Sequence, residues 1–255
     1  MAMTSASPPV RWSDLRRFTP ARVGLGRAGN GLPTAAHLGF EAAHAAARDA
    51  VHAMLDVPAL QAELAMAGID RMAVHSAAAD RATYLRRPDL GRRLREADRP
   101  ALPAAADALV FVVCDGLSAI AVQRHAGALL NCAIPLVRKV LPVAPVVIVE
   151  QGRVAIGDDI GGCMDAAAVA VLIGERPGLS AADSLGVYLT WRPRPGRVDA
   201  ERNCISNIRP AGLPIPQAAA KLQWLIEAMC RRQLTGIGLK DDQPAMPTQP
   251  QGLLP

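Results

Sequence analysis

Aromatic side chains are scarce: three Trp, two Tyr and three Phe make up 3% of the 255 residues, although 51% are hydrophobic. Alanine and valine therefore supply most of the apolar content, which builds a core from short side chains and leaves few rings to stack on nucleic-acid bases. The five cysteines, Cys114, Cys132, Cys163, Cys204 and Cys230, form no C-x-x-C pair. A zinc ribbon and a thioredoxin-type motif are thereby excluded, and a reducing compartment fits best. No uninterrupted apolar run reaches the ~18 residues that suggest a membrane span. The opening MAMTSASPPVRW lacks the apolar centre of a secretory leader. A soluble cytoplasmic chain without a membrane partner is expected. There is no Walker loop and no nucleophile elbow, and His125 is the only histidine beyond residue 100. The net charge of +5 is mild, with 23 acidic residues among 28 basic ones. An acidic protein surface suits it as well as nucleic acid does.

What is present falls into two parts. Residues 1–10 read as a disordered lead-in. Residues 11–99 are basic and alanine-rich, with helical patterning from Thr34 and again from Pro58, and carry no recognisable strand. After a proline-flanked linker at 100–103, short apolar β-branched runs alternate with helical stretches. ALVFVVC (108–114), PVVIVE (145–150) and AAVAVLIG (167–174) read as strands buried on both faces, and SLGVYLTW (184–191) as a fourth. A helix is expected over about 117–140, interrupted at Pro135, and another from about Pro216 to Gln233. The fold class predicted is α/β, a Rossmann-like, mainly parallel sheet with helices on both faces over 100–238, preceded by an all-helical region. Residues 239–255 read as a polar tail.

Several patterns invite chemistry. Gly24-Leu25-Gly26-Arg27-Ala28-Gly29 matches G-x-G-x-x-G, but the basic, proline-broken stretch ahead of it is no strand, so a docking loop is favoured over a dinucleotide fingerprint. His37, His44 and His52 lie two turns apart along one helix, too far for chelation by neighbours. Arg81, Arg86, Arg87, Arg92, Arg93, Arg95 and Arg99 crowd one region, as a solvated surface or a protein-docking face. Polar loops follow the predicted strands at 114–118, 150–154 and 174–178, and 203–209 adds a fourth polar cluster. Parallel strands would bring all four to one rim, where α/β proteins hold ligands. Capping by Asp115 or Ser118 and a turn at Asn207 is the plainer alternative for any one of them.

The series SDLRRFTPARVGLGRAGN, TYLRRPDLGRRL, CDGLSA, IGERPGL and NCISNIRPAG, in that order over roughly Ser13 to Gly238, resembles the small (light) subunit of ethanolamine ammonia-lyase. The resemblance implies a subunit of an adenosylcobalamin-dependent carbon–nitrogen lyase that converts ethanolamine to acetaldehyde and ammonia by a radical mechanism. It implies a large (heavy) subunit as partner, in a hetero-oligomer with several copies of each. The large subunit would hold the substrate, and residues 11–99 would dock on it. Carried over by motif, Val154, Glu175 and Cys204 would contact the cobalamin, with no catalytic residue and no metal ligand on this chain. Gly152, Gly174 and Gly178 would allow close approach of backbone to the cofactor. Some members of the family carry a longer N-terminal extension linked to a bacterial microcompartment; here ten residues precede Arg11. The competing readings are a nucleotide-dependent oxidoreductase using the glycine motif, a nucleic-acid-binding protein, and an adaptor subunit with no cofactor nearby.

Overall fold

The computed structural model describes residues 12–19 and 21–242. The expected lead-in at 1–10 and most of the expected tail lie outside the described residues. Strands β1 (Arg71–His75), β2 (Leu109–Cys114), β3 (Val146–Glu150), β4 (Ala168–Gly174), β5 (Leu185–Trp191) and β6 (Asn203–Ile208) form one sheet in the order β1-β3-β2-β4-β5-β6. β2 and β4 are buried along their whole length, as is β3 except for Glu150. Their Val, Leu, Ile and Ala side chains pack against both layers of the fold, which is why they lack polar alternation.

The four strands expected from sequence are present. β1 to β4 run parallel, but β5 is antiparallel to β4 and β6 antiparallel to β5. The sheet is therefore mixed α/β, and the expected run of parallel strands stops at β4. The cause is chain length: only ten residues, 175–184, join β4 to β5, and a parallel crossover needs a dozen or more. The N-terminal region is not all-helical either, since β1 adds to the edge of the sheet beside β3, with Arg71 opposite Val146 and His75 opposite Glu150. The polar cluster at 203–208 is a strand, not a loop after one.

Six helices complete the fold: α1 (Thr34–His52), α2 (Val57–Met66), α3 (Arg81–Arg86), α4 (Ala119–Val137), α5 (Ile156–Cys163) and α6 (Ile215–Arg232). Leu60 and Leu64 of α2, Leu129 and Leu130 of α4 and Leu222 and Ile226 of α6 cover one face of the sheet. On the other face, Ile156 and Ile160 of α5 pack with Val110, Val112 and Val171. Helices thus lie on both faces, as expected. α4 is long and apolar enough to cross a membrane by composition, but more than half of it is buried in the core. It continues through Pro135, which falls in its last turn. On β5 and β6 the cover thins: Tyr188 is half-buried and Cys204 exposed.

Candidate functional site

The parallel strands β2, β3 and β4 end together, and the chain order reverses around β2, which sits between β3 and β4. Such a switch point opens a crevice at the carboxyl edge of a sheet. Asp115 anchors it. Its buried carboxylate accepts hydrogen bonds of 3.0 Å from the backbone N–H groups of Gly116, Gln151 and Gly152, so it ties the loop after β2 to the loop after β3. Arg81 stands 3.5 Å from the same carboxylate. Burial pushes the Asp115 carboxyl up to about 6, against the opposing pull of Arg81 and the three N–H donors. The helix cap of α4 is Ser118, whose hydroxyl accepts from Ala121 N–H; Asp115 instead serves the crossing of two loops.

The loop after β4 is locked to the loop after β2 by close backbone approach. Leu117 N–H donates to Gly174 O at 3.0 Å, and a Cβ on Gly174 would lie 2.0 Å from Ser118 O. Gly152 similarly rests against Cys114, where a Cβ would meet Sγ at 2.7 Å. The closeness of Gly152 and Gly174 therefore serves the protein's own packing, which corrects the expectation that they make room for a ligand. A Cβ on Gly178 would make only an ordinary contact with the Ala181 backbone, at 3.9 Å.

Arg81 is the hub of this edge. It donates from Nε to Val51 O near the end of α1 and from Nη1 to Gly116 O, each at 2.8 Å. Its guanidinium lies 4.7 Å from the Tyr84 ring centroid, and that of Arg153 lies 4.4 Å from the same ring. Arg153 also donates to Tyr84 O at 3.0 Å, while its buried Nε has no acceptor. Desolvation raises the Tyr84 hydroxyl above its ordinary value, so it stays protonated.

A cavity of about 370 Å³ opens beside this stack, lined by Tyr84, Leu117, Val154, Ile173, Glu175 and Tyr188 among others. Two of the three residues expected from sequence, Val154 and Glu175, thus line one cavity. Cys204 is the cross-strand partner of Tyr188, and the two side chains interact. Glu175 is held for use: Ser184 Oγ donates to its Oε2, as does Asn207 N–H at 3.3 Å, and its own N–H donates to Ser184 O at 2.9 Å. Oε1 accepts no hydrogen bond among the described residues. Desolvation by the protein on the side of Cys204 turned away from solvent raises its thiol above the ordinary range, against the opposing hydrogen bond with Tyr188. Tyr84, Arg153 and Tyr188 also line the cavity; Tyr84 and Arg153 lie in stretches singled out from sequence without being named as site residues, and only the register of β5 with β6 points to Tyr188.

The other patterns resolve plainly. Gly24–Gly29 follows a 3-10 turn (Trp12–Phe18), and no described strand leads into it, so the context of a dinucleotide fingerprint is absent. His37, His44 and His52 are exposed on α1, with His37 3.3 Å from Glu41, and no cluster of metal-ligating side chains occurs among the described residues. Of the crowded arginines, Arg81 and Arg99 are structural, Arg87 and Arg95 pair with Asp89 and Asp98, and Arg92 and Arg93 project from the surface.

Residues 9–240 match the family described as "Ethanolamine ammonia-lyase light chain (EutC)". The ethanolamine ammonia-lyase small subunit of Azotobacter vinelandii is 53% identical over 249 residues, covering 94% of this chain and 92% of its own length. That of Xanthomonas campestris pv. campestris is 51% identical over 257 residues, 97% of this chain and 94% of its own. That of Pseudomonas syringae pv. tomato is 49% identical over 253 residues, 93% and 85% respectively. A match over nearly the full length, with the motif residues standing around one crevice, leads to a single statement: the chain belongs to the ethanolamine ammonia-lyase light-chain family.

Proposed function

We propose that this chain forms one wall of an adenosylcobalamin site in ethanolamine ammonia-lyase, the large subunit supplying the opposite wall and the substrate pocket. As a member of the light-chain family, the chain is a subunit of a carbon–nitrogen lyase. The observation that carries the reading is the convergence of Val154, Glu175 and Tyr188 on one open cavity, with Cys204 paired to Tyr188 across the neighbouring strand. Its donor set suits a corrinoid. Val154, Ile173, Leu117 and the tyrosine rings offer apolar surface to a macrocycle, and Glu175 Oε1 is available to accept from peripheral amides. A cavity of about 370 Å³ is near the lower end of what holds a drug-sized ligand. A larger corrinoid can rest only part of itself there, which argues for a site closed by a second chain.

When bound, adenosylcobalamin supplies the radical chemistry on ethanolamine. This chain's own contribution is to orient the corrinoid through Glu175, shield its edge from water with Val154 and Tyr188, and hold the loops rigid through Asp115. No side chain here is assigned proton transfer to substrate. The N-terminal region supports docking on the large subunit: Trp12, Phe18, Leu38 and Phe40 are exposed, and only Ala50 of α1 is buried. Several copies of each subunit in a cytoplasmic hetero-oligomer, or in a microcompartment, complete the reading.

The test is co-purification with the large subunit, followed by gel filtration in cobalamin and assay of acetaldehyde from ethanolamine. Corrinoid retained only when both chains are present, with acetaldehyde formed, is the expected outcome. A stable complex that retains corrinoid equally well without this chain would make it an adaptor and overturn the proposal.

A further inference from the structure

A second and larger cavity, of about 890 Å³, adjoins the first; Arg153 and Val154 line both. Six arginines border it: Arg92, Arg93, Arg99, Arg153, Arg197 and Arg202. Three are committed to carboxylates. Arg202, itself buried, clasps Asp158 at 2.7 and 2.6 Å and stands 3.5 Å from Asp199. Arg99 clasps Asp159 at 3.0 and 2.9 Å, and Arg197 pairs with Glu201. Arg92, Arg93 and Arg153 have no carboxylate in ion-pair contact among the described residues. Their proximity is built in, because Arg153 N–H donates to Gly91 O at 2.8 Å and its Cγ would lie 3.1 Å from a Cβ on Gly91, the residue before Arg92. The N–H groups of Val154 and Ala155, in the turn entering α5, donate to no acceptor among the described residues.

Three uncompensated guanidiniums and two free amides at one end of a cleft make a concentrated positive field with more donors than acceptors. The planar guanidinium fork matches the oxygens of phosphate, and charge-assisted pairs of this kind are the strong ones. We infer that this cleft is an anion subsite that takes a phosphate group. The inference rests on the corrinoid reading for its preferred source, since cobalamin carries a single phosphodiester in the nucleotide tail at the edge of its ring, and the cleft runs out from the wall assigned to that ring. Free inorganic phosphate is the other source of the same chemistry.

The complex of this chain with the large subunit is titrated with cyanocobalamin and with cobinamide, the corrinoid lacking the nucleotide tail, following the visible corrin bands. Inorganic phosphate binding is followed separately by phosphorus NMR. Arg92 and Arg93 are exposed, so Arg92→Ala/Arg93→Ala is expected to fold. The double variant should weaken cyanocobalamin about ten-fold, leave cobinamide unchanged and abolish phosphate binding. If the tail is the source, cyanocobalamin displaces phosphate and cobinamide does not; if phosphate binds equally beside cyanocobalamin, the subsite is for the free anion. Unchanged cyanocobalamin affinity together with unchanged or undetectable phosphate binding overturns the subsite. Glu175→Ala separates the two claims, since it should weaken both corrinoids alike. If it weakens neither, the corrinoid wall fails, and phosphate binding lost in the double variant would still stand for the anion site.

Discussion

Asp115→Asn probes the join that holds the site together. The carboxylate is buried, accepts three backbone N–H groups and faces Arg81, yet burial raises its pKa to about 6 from an ordinary value of 3.8. The direction has a definite consequence for stability. An acid whose folded pKa is raised binds more protons folded than unfolded between about pH 4 and 6, so its contribution to stability falls as pH rises through that window. The size of the rise corresponds to about 3 kcal/mol. The asparagine keeps the shape without the charge, but turns an amide N–H₂ toward either Gln151 N–H or Gly116 and Gly152 N–H, and a buried donor left unmade costs about 1–3 kcal/mol. Asparagine should therefore be clearly destabilising at pH 4, where folded wild type is protonated, and its disadvantage should shrink by about 2 kcal/mol by pH 7. Urea unfolding of the full chain at both pH values, with hydrogen exchange of the Gln151 and Gly152 amides, measures the difference. Other carboxylates with lowered values, such as Asp98 and Glu201, cancel in the comparison. A disadvantage that grows with pH would show that Arg81 and the three N–H donors outweigh burial, and would refute the reasoning.

Gly174→Ala would drive a Cβ to 2.0 Å from Ser118 O; a loss of about 1–3 kcal/mol or more is expected, read from the unfolding midpoint. Arg202→Ala leaves the Asp158 carboxylate buried and unpaired at a cost of about 3–5 kcal/mol, whereas replacing both partners with apolar residues of similar size should recover most of it. With a thiol reagent, native protein should react at the exposed Cys132, Cys163 and Cys204, while buried Cys114, whose pKa burial raises well above the ordinary thiol range, becomes reactive only on unfolding.

β2, β3 and β4 were legible to within a residue because burial on both faces leaves an unbroken β-branched run. β1 and β6 were not, for the converse reason. RMAVH and NCISNI lie at the two edges of the sheet, each with a strand on one side only, so they keep polar residues that read as loop. The direction of β5 was written in the sequence as the shortness of 175–184, outweighed by the expectation that strands and helices alternate. The residues of the IGDDIGGC segment form α5 despite three glycines because Gly157 and Gly161 pack against Val171 and Pro193, a tertiary reason invisible to propensity. Val154, Glu175 and Cys204 were singled out by motif alone, and the first two stand in one cavity. The architecture around them could not be read the same way, because Arg81 reaches Val51 and Gly116, Asp115 reaches Gln151, and Arg153 reaches Tyr84, each across 30 or more positions of sequence.

Arg81 grips the end of α1, the turn after β2 and the face of Tyr84 with one side chain. On the proposed reading, the helix that would meet the large subunit and the wall that would meet the corrinoid therefore share one joint. Thermodynamic reciprocity then sets a condition on the assembly: whatever factor the large subunit contributes to corrinoid affinity through that joint, the corrinoid returns as the same factor in subunit affinity. Loss of cofactor and loosening of the complex become two readings of a single coupling constant.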